Sequence, residues 1–324
     1  MRQKIRFCRF PPFPISFFDW KCRLLSEAKS LKPGLSVLSV LLAAALWGCM
    51  GIFVRRLNAA GLYALDVVQC RITVGLVLVG LYMLLFRRRS FRVRLRDLWC
   101  FLGTGLCSLL FFSYCYFTGM TLTSLSVMAV LLYTAPMIVM LLSALFFRER
   151  ITKQKLLALA MTFAGCVLVS GVGTGSALSL RALLLGLGAG LGYALYSIFG
   201  RCALNRGYDS WTILFYTFLF CAAGCAFLTD WGTIGAAVSA DGSLVLWILA
   251  MGLFTGFFAY LLYTNGLSGM ESSRASILAS LEPVVATIAG VAVFHETLTL
   301  AGAAGVLLVL GGIAVLTPRA HTKT

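Results

Sequence analysis

Charge is what this 324-residue sequence has least of: aspartate and glutamate number 11, histidine 2, and all charged residues together reach only 12%. Soluble domains carry roughly 25% charged residues, so the shortfall excludes an ordinary water-soluble fold. Two histidines, His295 and His321, and 11 cysteines with no CxxC pair supply neither a metal-ligand set nor a disulfide framework. The cysteines lie mainly in apolar stretches, at Cys49, Cys70, Cys107, Cys115, Cys166, Cys221 and Cys225, where a thiol behaves as a small hydrophobe. No His-Glu-x-x-His, Walker segment or Gly-x-Ser-x-Gly elbow is present, so no catalytic constellation and no cofactor are expected. The run Gly186–Gly192 has no preceding strand and fails the dinucleotide pattern in either register. Its small residues at four-residue spacing predict close helix packing instead.

What the chain does have is apolar sequence, 60% of its residues, with a mean hydropathy of +0.94. Runs near the ~20 residues that cross a bilayer recur along it. They fall at about 34–54, 63–86, 97–119, 124–147, 155–173, 181–200, 210–229, 244–267, 274–295 and 299–317. The expected fold is an all-α polytopic membrane protein with ten transmembrane helices. All but Arg55, Arg56, Arg71 and Arg181 of its 27 Lys and Arg residues fall on one side of such a bundle. The positive-inside rule then places both termini in the cytoplasm, for a multi-pass protein of the plasma membrane. The net charge of +16 is thereby assigned to topology and not to a nucleic-acid partner. Residues 1–33 are a basic cytoplasmic extension, and 318–324 a cytoplasmic tail. The extension lacks a signal peptide's order of regions; it reads as an interfacial tail or as an overextended gene start.

The two halves answer each other at a fixed offset of 147 residues. Gly105 matches Gly252, Phe111 Phe258, Tyr116 Tyr263, Gly119 Gly266, Ser126 Ser273 and Leu131 Leu278. Pro136 then matches Pro283, Phe147 Phe294, Glu149 Glu296, Thr152 Thr299 and Gly165 Gly312. The domains are therefore two five-helix repeats, 34–173 and 181–317. An odd number of helices per repeat makes the second copy enter the membrane from the opposite face, so the repeats are inverted.

Glu282 and Arg71 are the charged residues placed near the midplane, where an ionisable group is costly and marks a pathway or site. They are candidates for substrate or proton binding. The competing reading is a structural Glu282–Arg71 ion pair, or a glutamate hydrogen-bonded to backbone freed by Pro283. The counterpart of Glu282 is Ala135, so the carboxylate breaks the internal symmetry. Trp47, Tyr116, Tyr133, Tyr193 and Tyr263, with Tyr114 and Tyr260, are polar-tipped aromatics that either line a cavity or pack between helices. Pro136 and Pro283 are helix-break positions. Glu149 and Glu296 are expected to hold the corners after helices 4 and 9, with Thr152 and Thr299 as N-caps. His295 is read as an interfacial histidine and Asp66 as a surface or capping group.

In order and spacing these marks resemble the drug/metabolite transporter superfamily, its ten-helix EamA-type branch. The resemblance spans about residues 35–317. It rests on Leu46-Trp47-Gly48, Arg55-Arg56, Arg71, Tyr133-Thr134-Ala135-Pro136 and Phe147-Arg148-Glu149-Arg150-Ile151-Thr152. Leu281-Glu282-Pro283-Val284 and Phe294-His295-Glu296-Thr297-Leu298-Thr299 complete it. It implies a secondary active transporter that exports amino acids, other small metabolites or drugs by alternating access of the two halves. The implied partners are a small-molecule substrate, the lipid bilayer and protons. With no ATP-binding domain, active transport has to draw on a gradient. A cationic drug exporter or a nucleotide-sugar carrier are alternatives within transporters. A membrane scaffold or lipid-modifying enzyme is the alternative outside them.

Overall fold

The computed structural model describes residues 33–171 and 179–316, so the expectations for the N-terminal extension and the C-terminal tail lie outside the described residues. Every regular element in the described residues is helical. Apolar sequence drives that outcome, because in hydrocarbon each backbone N–H and C=O has to be satisfied within its own segment. α1 (Pro33–Gly48) and α2 (Met50–Ala59) follow one another across a kink at Cys49, and α3 (Ala64–Phe86) comes next. Two 3-10 turns, Arg88–Phe91 and Leu95–Asp97, carry the Arg-rich loop. α4 (Leu98–Leu102) continues through a π-helical stretch, Gly103–Leu110, into α5 (Phe111–Met120); α6 (Leu125–Leu132), α7 (Ala135–Phe147) and α8 (Lys153–Ser170) follow. The second half begins with α9 (Leu180–Asn205), α10 (Ser210–Cys225) and a short α11 (Trp231–Ala240). α12 (Leu244–Met251) then runs through a second π stretch, Gly252–Phe258, into α13 (Ala259–Ser268). α14 (Ser272–Ala279), α15 (Glu282–Phe294) and α16 (Leu300–Leu316) complete it.

Eight of the resulting helical spans are long and apolar enough to cross a membrane; Ser210–Cys225 and Leu300–Leu316 are apolar but shorter. Several sequence-based boundaries shift. Arg55 and Arg56 sit inside α2 instead of in a loop, and α11 inserts a helix where a connection was expected. Its N-cap is Asp230, which accepts from the N–H groups of Gly232 and Thr233. The Thr233 hydroxyl also donates to it, and these bonds hold the Asp230 carboxyl below the usual carboxylate range.

Pro136 and Pro283, read as helix-break positions, sit at the starts of new helices. The chain ends α14 at Ala279 and restarts at Glu282, so Pro283 falls in the first turn of α15. There its missing N–H has no intrahelical partner to lose. Pro136 begins α7 in the same way. Both second segments also end alike. Arg148 and His295 adopt the left-handed conformation, at φ 56° and φ 54°, a geometry uncommon for residues other than glycine. The π stretches, the split helices and the left-handed caps thus recur in the same order in both halves.

α8 and α16 pack along each other through glycine. A Cβ at Gly165 would stand 2.7 Å from the Gly305 carbonyl oxygen and 2.9 Å from the Val309 nitrogen, both backbone atoms with nowhere to move. Gly165→Val is therefore expected to destabilise by about 1–3 kcal/mol through overpacking. At Gly51, by contrast, an added Cβ meets nothing within 4 Å, and Gly51→Ala is expected to be neutral or mildly stabilising. Thermal unfolding of the two purified variants checks the contrast; equal midpoints would remove the packing argument.

Candidate functional site

The centre of the bundle is built from α1, the two π stretches, α5, α9 and α13. A π stretch misdirects a backbone carbonyl, and in the second half that carbonyl finds Trp47: its Nε1 donates to the Thr255 oxygen at 3.2 Å. The bond fixes an indole that is only 7% exposed. Around it stand Tyr260, with ring centroids 5.0 Å apart, Tyr263 at 5.4 Å and Tyr193 at 6.2 Å. Tyr196 joins through Tyr260 at 5.3 Å. These rings, with Phe112, Ser108, Leu109 and Ser197, line a narrow cavity.

Neighbouring hydroxyls hold the tyrosines in place. Tyr196 shares a hydrogen bond with Thr264 at 2.7 Å, and Tyr263 shares one with Ser197 at 2.7 Å. Tyr193 is different, because its hydroxyl donates outward, to Glu282 Oε2 at 3.4 Å. That bond is long for an O–H donor to a carboxylate, so Glu282 keeps acceptor capacity. Tyr116 and Tyr133 also stand within electrostatic reach of it. A second, smaller cavity opens where the two split helices face each other. Tyr133, Ala135, Pro136, Tyr193, Ser276 and Ser280 line it, which brings Ala135, the counterpart of Glu282, to the same region.

Arg71 is 5% exposed and comes from α3. Its Nη1 donates to the Met50 thioether at 2.8 Å, its side chain lies beside Tyr260, and its buried Nε has no hydrogen-bond partner. Among the described residues no ion pair joins it to Glu282, so the competing reading of a structural Glu282–Arg71 pair is not met. The two charges stand instead behind different tyrosines of one cavity, Arg71 behind Tyr260 and Glu282 behind Tyr193. A buried guanidinium without a carboxylate is a high-energy arrangement that an incoming anionic group relieves.

Of the aromatic residues singled out from sequence, Trp47, Tyr193, Tyr260 and Tyr263 line the first cavity, and Tyr133 and Tyr193 the second. Tyr116 lines neither and stacks on Phe112 at 5.6 Å. Tyr114 is 48% exposed on the outside of the bundle. Tyr196 was missed, although it lies one helical turn from Tyr193 on the same face of α9. Phe112 was missed too, and among so many apolar residues nothing distinguishes it.

The corner glutamates separate. Glu149 accepts from the N–H of Ser272 at 2.8 Å, the N–H of Ser273 at 3.1 Å and the Ser273 hydroxyl at 2.5 Å. It caps α14, a helix of the other half, beyond bracing its own corner. Glu296 pairs with Arg55, which lies over the Phe294 ring at 4.0 Å. Thr152 and Thr299 cap α8 and α16. Asp66 accepts from the N–H of Asp230 at 3.0 Å, tying α3 to the turn before α11. His295 is exposed at the end of α15. The Gly186–Gly192 run packs against Leu131, Thr134 and the backbone of Phe112.

The sequence matches the EamA-like transporter family twice, over residues 34–171 and 180–317. An uncharacterized transporter of Archaeoglobus fulgidus is 29% identical over 279 residues, 86% of this chain and 94% of its own. A second from the same organism is 32% identical over 200 residues, 61% of this chain and 70% of its own. The uncharacterized transporter YvbV of Bacillus subtilis is 23% identical over 239 residues, 72% of this chain and 77% of its own. A solved crystal structure superposes with a TM-score of 0.73 at 19% identity, covering 87% of this chain and 96% of the other, which is a likeness of fold.

Proposed function

Since the chain belongs to the EamA-like transporter family, we propose that it moves a small amino-acid-like solute outward across the plasma membrane by alternating access of two inverted five-helix halves. It is a multi-pass membrane transporter. The observation that carries the finer reading is the cavity itself, an aromatic box with an under-satisfied carboxylate behind one wall and an unpaired guanidinium behind another. A solute amine would be taken by Glu282 and its carboxylate by Arg71. The rings of Trp47, Tyr193, Tyr260 and Tyr263 would supply an apolar wall that also favours a cation. Two opposite charges with one ring system between them suit a zwitterion better than a phosphate-bearing solute, which would need more than one Arg.

The repeated π stretches, split helices and left-handed caps support the two-repeat reading, with domains at 34–173 and 181–317. An odd number of spans per repeat makes them inverted, provided Ser210–Cys225 and Leu300–Leu316 cross as helices 7 and 10. The basic residues gathered at one end support cytoplasmic termini. Glu282 is also the carboxylate placed to carry a proton, which gives transport a gradient to draw on.

A panel of amino acids, quaternary amines, sugars and nucleotide sugars added to the purified protein tests the substrate class. The expected result is thermal stabilisation by amine-bearing zwitterions, and counterflow of the same solutes in proteoliposomes. Stabilisation by nucleotide sugars, with none from amines, would overturn it.

A further inference from the structure

The two halves carry the same acidic corner, yet the two glutamates take different partners in the opposite half: Glu149 the start of α14, Glu296 the guanidinium of Arg55. At the Arg-rich end, α7 lies along α14, and Glu149 binds the first two N–H groups of α14 and the Ser273 hydroxyl. Glu271, the residue preceding α14, makes no cap of its own and instead accepts from Lys155 Nζ at 2.8 Å. The cap on α14 therefore comes wholly from the opposite repeat.

Shifting by 147 residues gives the equivalent contact at the other end: Glu296 on the first N–H groups of α6, at Leu125 and Ser126, beside the N-cap Ser124, which among the described residues accepts only from the Val127 N–H. That contact is not made. α15 has no packing against α6 comparable with that of α7 on α14, Ser126 carries no carboxylate, and Glu296 is held on Arg55. The Arg55–Glu296 pair is about half exposed, at 54% and 49% for the two side chains, the kind of surface pair that contributes little. Glu149 is 9% exposed and makes three hydrogen bonds as a charged acceptor. Such bonds are the stronger class and favour the closed end.

We infer that Glu149 and Glu296 are alternating latches: Glu149 on α14 holds the Arg-rich end shut in this conformation, and Glu296 on the start of α6 holds the opposite end shut in the other. The inference rests on the inverted-repeat transport reading. It adds what makes each end stay closed, a carboxylate from one half on a helix N-terminus of the other, favoured by the helix dipole. When the chain switches, Glu149 leaves Ser272 and Ser273, and Glu296 exchanges Arg55 for Ser126. A transporter needs the two ends to exclude one another, and two equivalent bonds that form in turn supply that exclusion.

Hydrogen–deuterium exchange of the full chain in lipid nanodiscs tests it through two peptides, one over the start of α14 and one over the start of α6. In the wild type the Ser272 and Ser273 amides are expected to exchange slowly and those at the start of α6 faster. Glu149→Gln removes the charged acceptor and is expected to shift the balance roughly tenfold toward the other conformation. The α14 amides then exchange faster and, reciprocally, the α6 amides slow several-fold. Glu296→Gln, a change at an exposed position that leaves folding intact, is expected to leave the α6 start as fast as or faster than wild type. In the double variant it is expected to abolish the slowing that Glu149→Gln produces. If Glu149→Gln loosens α14 with no change at α6, Glu149 is a local cap and the latch is wrong. The same holds if the double variant slows α6 as much as the single one. The readout needs no substrate, so an incorrect solute class leaves it untouched, and loss of reciprocity does not disturb the solute panel.

Discussion

Glu282→Gln is expected to lower substrate binding and gradient-driven transport by about one to two orders of magnitude while leaving the protein as stable as wild type, or more so. The two halves of that expectation come from one argument. Glutamine keeps the size of the side chain and can still accept from Tyr193, so packing around α15 is preserved. It lacks the negative charge, and a hydrogen bond to a charged group is worth about 1.5–3 kcal/mol, where each 1.4 kcal/mol is tenfold in affinity. Within the bundle that carboxylate has no ion-pair partner among the described residues, so neutralising it relieves a desolvation penalty. Glutamine also neither takes up nor releases a proton, so any remaining flux should no longer follow a pH gradient. Proteoliposome flux with a defined pH difference and thermal unfolding of the same preparation check both halves. Normal flux with a lowered melting temperature would assign Glu282 a structural role.

Trp47→Ala is expected to be the most damaging single change in the cavity, for both stability and transport. The indole is nearly buried, touches three tyrosine rings, and satisfies the Thr255 carbonyl in the π stretch. Truncating a buried tryptophan costs about 3–5 kcal/mol, and a carbonyl left without its donor adds about 1–3 kcal/mol. Trp47→Phe separates these terms in part, because it keeps an aromatic face and loses the donor and a smaller share of the buried ring. It should unfold between wild type and the alanine variant and retain part of the solute affinity. Thermal midpoints and solute binding of the three proteins measure this. An alanine variant as stable as wild type would mean that the box is not held together at Trp47.

Much of the architecture was legible because the membrane imposes coarse, additive rules. Apolar length sets where helices run, Lys and Arg set the expected sidedness, and the spacing of Gly, Pro and Glu at one offset exposes the repeat. Thr152 and Thr299 were readable as caps because an N-cap bond reaches only three residues along the chain. Pro136 and Pro283 were readable as breaks, but not as the starts of new half-helices. That distinction depends on whether neighbouring helices satisfy the carbonyls at the gap. The candidate site was half visible. Charge in apolar sequence pointed to Glu282 and Arg71, whereas Tyr196 and Phe112 carry no such contrast.

The sequence by itself determined that the chain is a bundle of apolar helices in two related halves, with one acidic and one basic residue near its middle. These follow from composition, period and spacing, which act locally and sum along the chain. Only the tertiary structure decided that Arg71 and Glu282 stand apart behind different tyrosines, that Trp47 closes the cavity by binding a π-stretch carbonyl, and that Glu149 caps α14 while Glu296 pairs with Arg55. Each of these joins residues far apart in the chain across a helix interface. Their outcome is set by which side chain wins a shared acceptor in the packed state, and no local pattern carries that competition.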